Sequence, residues 1–144
     1  IHPSGENDFT FNGSSDTGSN YNVTKTTTVF TTQHSETEAE TASLLYSTGT
    51  DIAQGTGFQQ LMAYGEMDAD NDHSLNGTLH LFNPSSTTFV KHFIATTNTN
   101  INTNYCNCGF IAGYFNTTSV IDAIQFKMNS GNIDAGTIKL YGIA

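Results

Sequence analysis

The chain has 144 residues and a mass of 15.5 kDa, the size of one domain. Its formal net charge is −9 and its only cations are Lys25, Lys91, Lys127 and Lys139, which excludes nucleic-acid binding through clustered basic residues and attraction to an anionic membrane. No stretch approaches the roughly 20 apolar residues of a membrane helix, so no membrane insertion is expected.

Only 12% of residues are charged, while Thr, Ser, Asn and Gly recur throughout. Threonine favours strands, and asparagine and glycine favour turns. The ten Phe and six Tyr supply core material that a hydrophobic fraction of 36% would otherwise lack. This is the composition of an all-β protein.

In chain order, residues 9–11 (FTF) read as a first short strand, closed by Asn12 and Gly13. Residues 25–33 (KTTTVFTTQ) read as a strand with one wet face. Residues 35–46 allow two readings. Ser35 and Glu38 fit a capping box with Ala39, Ala42 and Leu45 on one helical face, but Ala42, Leu44 and Tyr46 also alternate as in a strand. A glycine-rich loop over 51–57 precedes a strand over 58–64.

Residues 77–83 and 87–94 flank Asn83-Pro84-Ser85-Ser86 and predict a hairpin, since proline presets the φ of a tight turn. Leu79 and Leu81 point one way and His80 and Phe82 the other, which suggests a strand covered on both faces. An Asn/Thr loop over 98–104 leads to strands over 109–115, 120–128 and 137–143. About eight strands and no long helix predict a single domain over 1–144, a two-sheet antiparallel β-sandwich of jelly-roll type. The chain begins with Ile1, as a processed form or an excerpt would.

Few residues suggest chemistry. Asp68, Asp70 and Asp72 alternate like the start of a calcium loop, but an EF-hand wants Gly and Glu where His73 and Leu79 stand. They remain a weak calcium candidate within what reads as a solvated acidic loop, and no other cofactor is expected. Cys106 and Cys108 are too close for an unstrained disulfide and lack further zinc ligands, so two free thiols, at least one buried, are expected. His80 and His92 lie on the two strands of the predicted hairpin and could face each other as a packing pair. No nucleophile elbow, zinc-protease helix or phosphate loop occurs, and nothing selects a carboxylate pair, so no enzymatic activity is expected.

Three later motifs carry a resemblance. They are the hairpin from Gly77 to Pro84 (GTLHLFNP), the strand from Ile121 to Phe126 (IDAIQF), and the run from Ser130 to Gly142 (SGNIDAGTIKLYG). From Leu75 onward the chain resembles a β-sandwich domain of tailed-phage virion proteins, frequent in phages of marine and freshwater bacteria. Before that, only residues 9–13 (FTFNG) and the early strand are similar.

The resemblance implies a virion structural protein or tail-fibre component, extracellular as part of the particle, and often trimeric. None of its motifs is catalytic. Gly131, Gly136 and Gly142 would permit bends, and Ile133, Ile138, Leu140 and Tyr141 would pack, with the final strand held in a sheet and Ile138 and Leu140 buried. Expected partners are further copies of the chain and other virion proteins. Two alternatives are a receptor-binding fibre tip that recognises host surface glycans, and a secreted carbohydrate-binding module. The absence of tryptophan weighs against the latter.

Overall fold

β-Branched residues recur along the middle of the chain, and their crowded side chains pack well on a pleated surface. A computed structural model, which describes residues 1–37 and 42–143, is all-β. Among the described residues there are ten strands: β1 (His2–Pro3), β2 (Phe9–Ser14), β3 (Lys25–Ser35), β4 (Ser43–Tyr46), β5 (Gln59–Gln60), β6 (Leu75–Leu81), β7 (Lys91–Ile101), β8 (Tyr105–Phe115), β9 (Ala123–Met128) and β10 (Ile133–Ala135). A five-stranded sheet in the order β4-β3-β8-β7-β6 packs on a three-stranded sheet in the order β5-β2-β9. The short β1-β10 ribbon lies beside them, and every pairing is antiparallel.

The two sheets meet through alternate residues. Val29 of β3, Phe93 and Ala95 of β7, and Ile111 and Phe115 of β8 face Phe9, Phe11 and Met128. Phe11 is the centre: its ring meets Phe93 edge-on at 5.0 Å and Phe115 at 6.2 Å, and it stacks on Phe126 of β9 at 6.2 Å. Such contacts add to the area that aromatics bury.

Side-chain hydrogen bonds fix which strands overlie which. Thr27 Oγ1 of β3 donates to Gln59 Oε1 at 2.7 Å, and Asn107 Nδ2 of β8 donates to the Tyr64 carbonyl at 2.8 Å. The β5 side therefore covers β3 and β8. At the other border the Ile121 N–H, just before β9, donates to the Pro84 carbonyl between β6 and β7 at 2.9 Å. The β9 side therefore lies towards β6.

Several elements differ from the sequence expectation. Asn12 and Gly13 continue β2 instead of closing it. Asn12 Nδ2 satisfies the carbonyls of Tyr21 and Thr56, while a Cβ on Gly13 would come within 2.9 Å of the Phe115 ring. The predicted strand over 58–64 is reduced to β5, after which Leu61, Met62 and Ala63 enter the core as loop. The β6-β7 hairpin forms, but its connection runs over residues 82–90, with Asn83 at a positive φ of 48°.

The Asn/Thr run over 98–104 is a turn only at residues 102–104. It completes β7 and turns at Asn104 into β8, because Thr99 and Ile101 alternate inward. β4 favours the strand reading of residues 42–46, while Glu38 and Ala39 of the alternative helix lie outside the described residues. The largest departure concerns residues 137–143, which belong to no strand and leave Ile138, Leu140 and Tyr141 exposed. The expected final strand is not formed, and the pairing at this end of the chain is made by the preceding residues, β10, with β1.

The core also buries charge. Lys25 and Lys91 point inward and are fully buried. The Lys25 ammonium donates to the Gly57 carbonyl and lies 5.8 Å from the centre of the Phe115 ring. Burial pushes its pKa down to about 8. Asp8 moves the other way, to about 6, through burial first and the nearby Glu66 second, although Gln60 and Asn129 donate to its carboxylate.

Two outcomes follow from this core. Phe11→Ala should cost about 3–5 kcal/mol in chemical denaturation, because it opens the centre of both sheets. Unfolded Lys25 keeps its ordinary value of 10.5, so between pH 8 and 10.5 the unfolded chain binds more protons. The Lys25 contribution to stability should therefore rise with pH across that window, and thermal melts of Lys25→Met should lack that rise.

Candidate functional site

The outer face of the five-stranded sheet is built by the residues between the inward ones. Register places five rows across it, three of them around Ala112. The first runs Tyr46, Phe30, Phe110, Thr96 and Thr78, and the second Thr28, Ala112, Ile94 and His80. The third holds Thr26, Tyr114 and His92, with Phe82 just beyond β6 hydrogen-bonded through its N–H to the His92 carbonyl. Phe30 stacks on Phe110 with ring centres 4.8 Å apart, and His92 leans on Tyr114 at 5.8 Å. Ile94 and Phe82 are each 50% exposed.

Ala112 is small, so the middle row sinks between its aromatic neighbours into a shallow depression of about 450 Å³, lined by Thr26, Thr28, His92, Ile94 and Tyr114 among others.

No Asp or Glu lies in β3, β4, β6, β7 or β8, although the chain has 13 of them. The two lysines of these strands, Lys25 and Lys91, are turned inward. Histidines apart, these strands turn no charged side chain outward while the protein as a whole is strongly acidic, and the Asp51 carboxylate reaches only the rim, accepting from the Tyr46 hydroxyl at 2.9 Å. Large apolar patches rimmed by polar residues mark interaction surfaces. The face was missed as a site in the sequence because its residues come from five separate strands. The absence of acidic residues from these five strands is the signal that could have found it.

The acidic loop is organised around a residue outside the predicted triplet. Asp68 Oδ1 accepts the Asp70 N–H at 2.8 Å and lies 2.6 Å from Nδ1 of the buried His73. Ligand atoms of Asp68, Asp70 and His73 lie within 4.8 Å of one another. Asp72 stands apart from that group, with its carboxylate 3.7 Å from the other ring nitrogen, Nε2. Calcium takes six to eight oxygen ligands, whereas one imidazole with two carboxylates is a donor set suited to zinc-like ions. What the hydrogen bonds do in the described structure is lock the loop: His73 N–H donates to the Asp70 carbonyl at 2.9 Å, and His2 Nε2 lies 3.0 Å from the same oxygen.

His80 and His92 share the outer face but are not opposite each other, since His80 pairs with Ile94. Cys106 and Cys108 are free thiols, as expected, but neither is buried. Strand alternation puts both on the outer side of β8 and the buried Asn107 between them inward.

The Asp70 N–H and then the His73 side chain hold the Asp68 carboxyl below its ordinary 3.8. Asp68 thus contributes stability that is present above that value and lost as pH falls through the lower folded one. Asp68→Asn should destabilise the protein at neutral pH, and thermal melts of variant and parent should converge in acid. Compared with models of known families, with curated proteins and with solved structures, the chain finds no match.

Proposed function

We propose that this protein is a non-enzymatic, self-associating structural component of a bacteriophage virion, in capsid decoration or an appendage, and that the outer face of the five-stranded sheet is buried against neighbouring copies. The observation that supports this reading is the uncharged, partly apolar face on a chain of net charge −9. A like-charged surface repels its copies. Here the five strands of the larger sheet contain no acid, and Phe30, Ile94 and Phe82 are left for a partner to cover. The virion setting and a trimeric state rest on the resemblance of residues 75–143 to tailed-phage proteins.

Sedimentation velocity at micromolar concentration tests the association. The parent chain should sediment as an oligomer, and Phe30→Lys with Ile94→Lys should shift it to monomer with the thermal transition retained. A monomeric parent would sink the reading.

The depression over Ala112 favours a second function for the same face, recognition of a neutral host-surface glycan at an appendage tip. Its Thr26 and Thr28 hydroxyls, His92 and the Tyr114 ring offer hydrogen bonds and an apolar wall. A glycan array showing binding that Tyr114→Ala abolishes, with a monomeric parent, would select this second function.

A further inference from the structure

We propose that residues 137–143 act as a strand donated to a second copy, where they pair with the free edge of β9 and fill the border between β9 and β6. This rests on the self-association reading above and adds the element that would perform it.

The donor is plain in the described structure. Residues 137–143 contain no turn or bend and pair with no strand. Leu140 is 91% exposed and Ile143 89%. An extended, apolar run with its backbone groups unpaired is a template for strand addition. Ile138 and Leu140 are two residues apart, so on a pleated strand they share one face, while Lys139 and Tyr141 take the other.

The acceptor is equally defined. β9 pairs with β2 on one edge and with nothing on the other among the described residues. Facing that edge, β6 is bordered beyond β7 only by Ile1, which exchanges backbone hydrogen bonds with Leu75. Three strands thus cover five, and the uncovered part is the β6 side. Four of the seven half-buried apolar residues packed on the core lie there: Leu79 and Leu81 of β6, and Ile124 and Phe126 of β9. A strand laid along β9 with Ile138 and Leu140 inward would cover these four side chains. Neither the segment nor β9 contains an acid.

The occupant is a second copy because the segment does not pair within its own molecule in the described structure. After β9 the chain turns and is pinned, with Ser4 N–H donating to the Asn132 carbonyl at 3.0 Å and Asn132 N–H to Ser4 Oγ at 3.0 Å. β10 then pairs with β1 and not with β9. At the exit, Gly136 has φ of 141° and lies so close to Ile1 that a Cβ would be 2.8 Å from Ile1 Cδ1. Donation to a neighbour leaves the β1-β10 ribbon intact.

Sedimentation and cross-linking together test the exchange. Lys25 and Lys91 are buried, so Lys127 on β9 and Lys139 on the segment are the accessible lysines. After treatment with a lysine-reactive cross-linker, peptide mapping should find the Lys127–Lys139 link in the covalent-oligomer band. Ile138→Lys with Leu140→Lys, changes to exposed side chains that leave the fold intact, should shift the oligomer to monomer. An oligomer unchanged by this double variant, or a Lys127–Lys139 link confined to the monomer band, would overturn the exchange and leave self-association standing. A parent chain that sediments as a monomer would overturn both.

Discussion

The placing of Phe11 between the sheets is the contact on which the remaining structure depends. Its ring touches Phe93 and Phe115 of the larger sheet and Phe126 of its own neighbour, so one side chain fixes the spacing and relative shift of β2, β7, β8 and β9. The packing leaves no room on the facing backbone. That is why Gly13, two residues along on the same face, lacks a side chain where the Phe115 ring passes. With β2 fixed over β7 and β8, the smaller sheet cannot reach both borders of the larger one. It covers β3 through β5 and stops at β9, short of β6.

That offset connects the core to the surfaces. On the inner side it leaves Leu79, Leu81, Ile124 and Phe126 half-covered. On the outer side, among the described residues, no second sheet covers the five strands, and Phe30, Ile94 and His92 remain open to solvent. Burial of Lys25 and Lys91 belongs to the same pattern. Turning the only two cations of these strands inward costs desolvation, visible in the lowered pKa of Lys25, but leaves the outer face free of fixed charge.

Much of this was legible in the residues. The alternation in β3 predicts its wet and dry faces, and the GTLHLFNP run predicts the hairpin partner of β7. Other features were hidden for physical reasons. Asn12-Gly13 reads locally as a turn, but pairing with Gln125 and Ile124 of β9 continues the strand, and carbonyls of Tyr21, Thr56 and Gly57 satisfy the buried Asn12 amide. The polar run over 98–104 reads as a loop because Asn and Thr alone do not reveal that Thr97, Thr99 and Ile101 meet a buried face. His73 was invisible as the partner of Asp68, since an imidazole five residues away is placed by the fold of the loop and not by any periodic spacing.

The sequence by itself determined the all-β class, the single-domain size, the acidic balance and the alternation of most strands, because these depend on composition and on the two-residue period of a pleated backbone. It also supplied an apolar, strand-like run over 137–143 without saying where that run would pair. Only the tertiary structure decided that. Strand pairing is set by long-range register, and β10 is taken by β1, while the residues that follow are left unpaired with their apolar side chains in solvent.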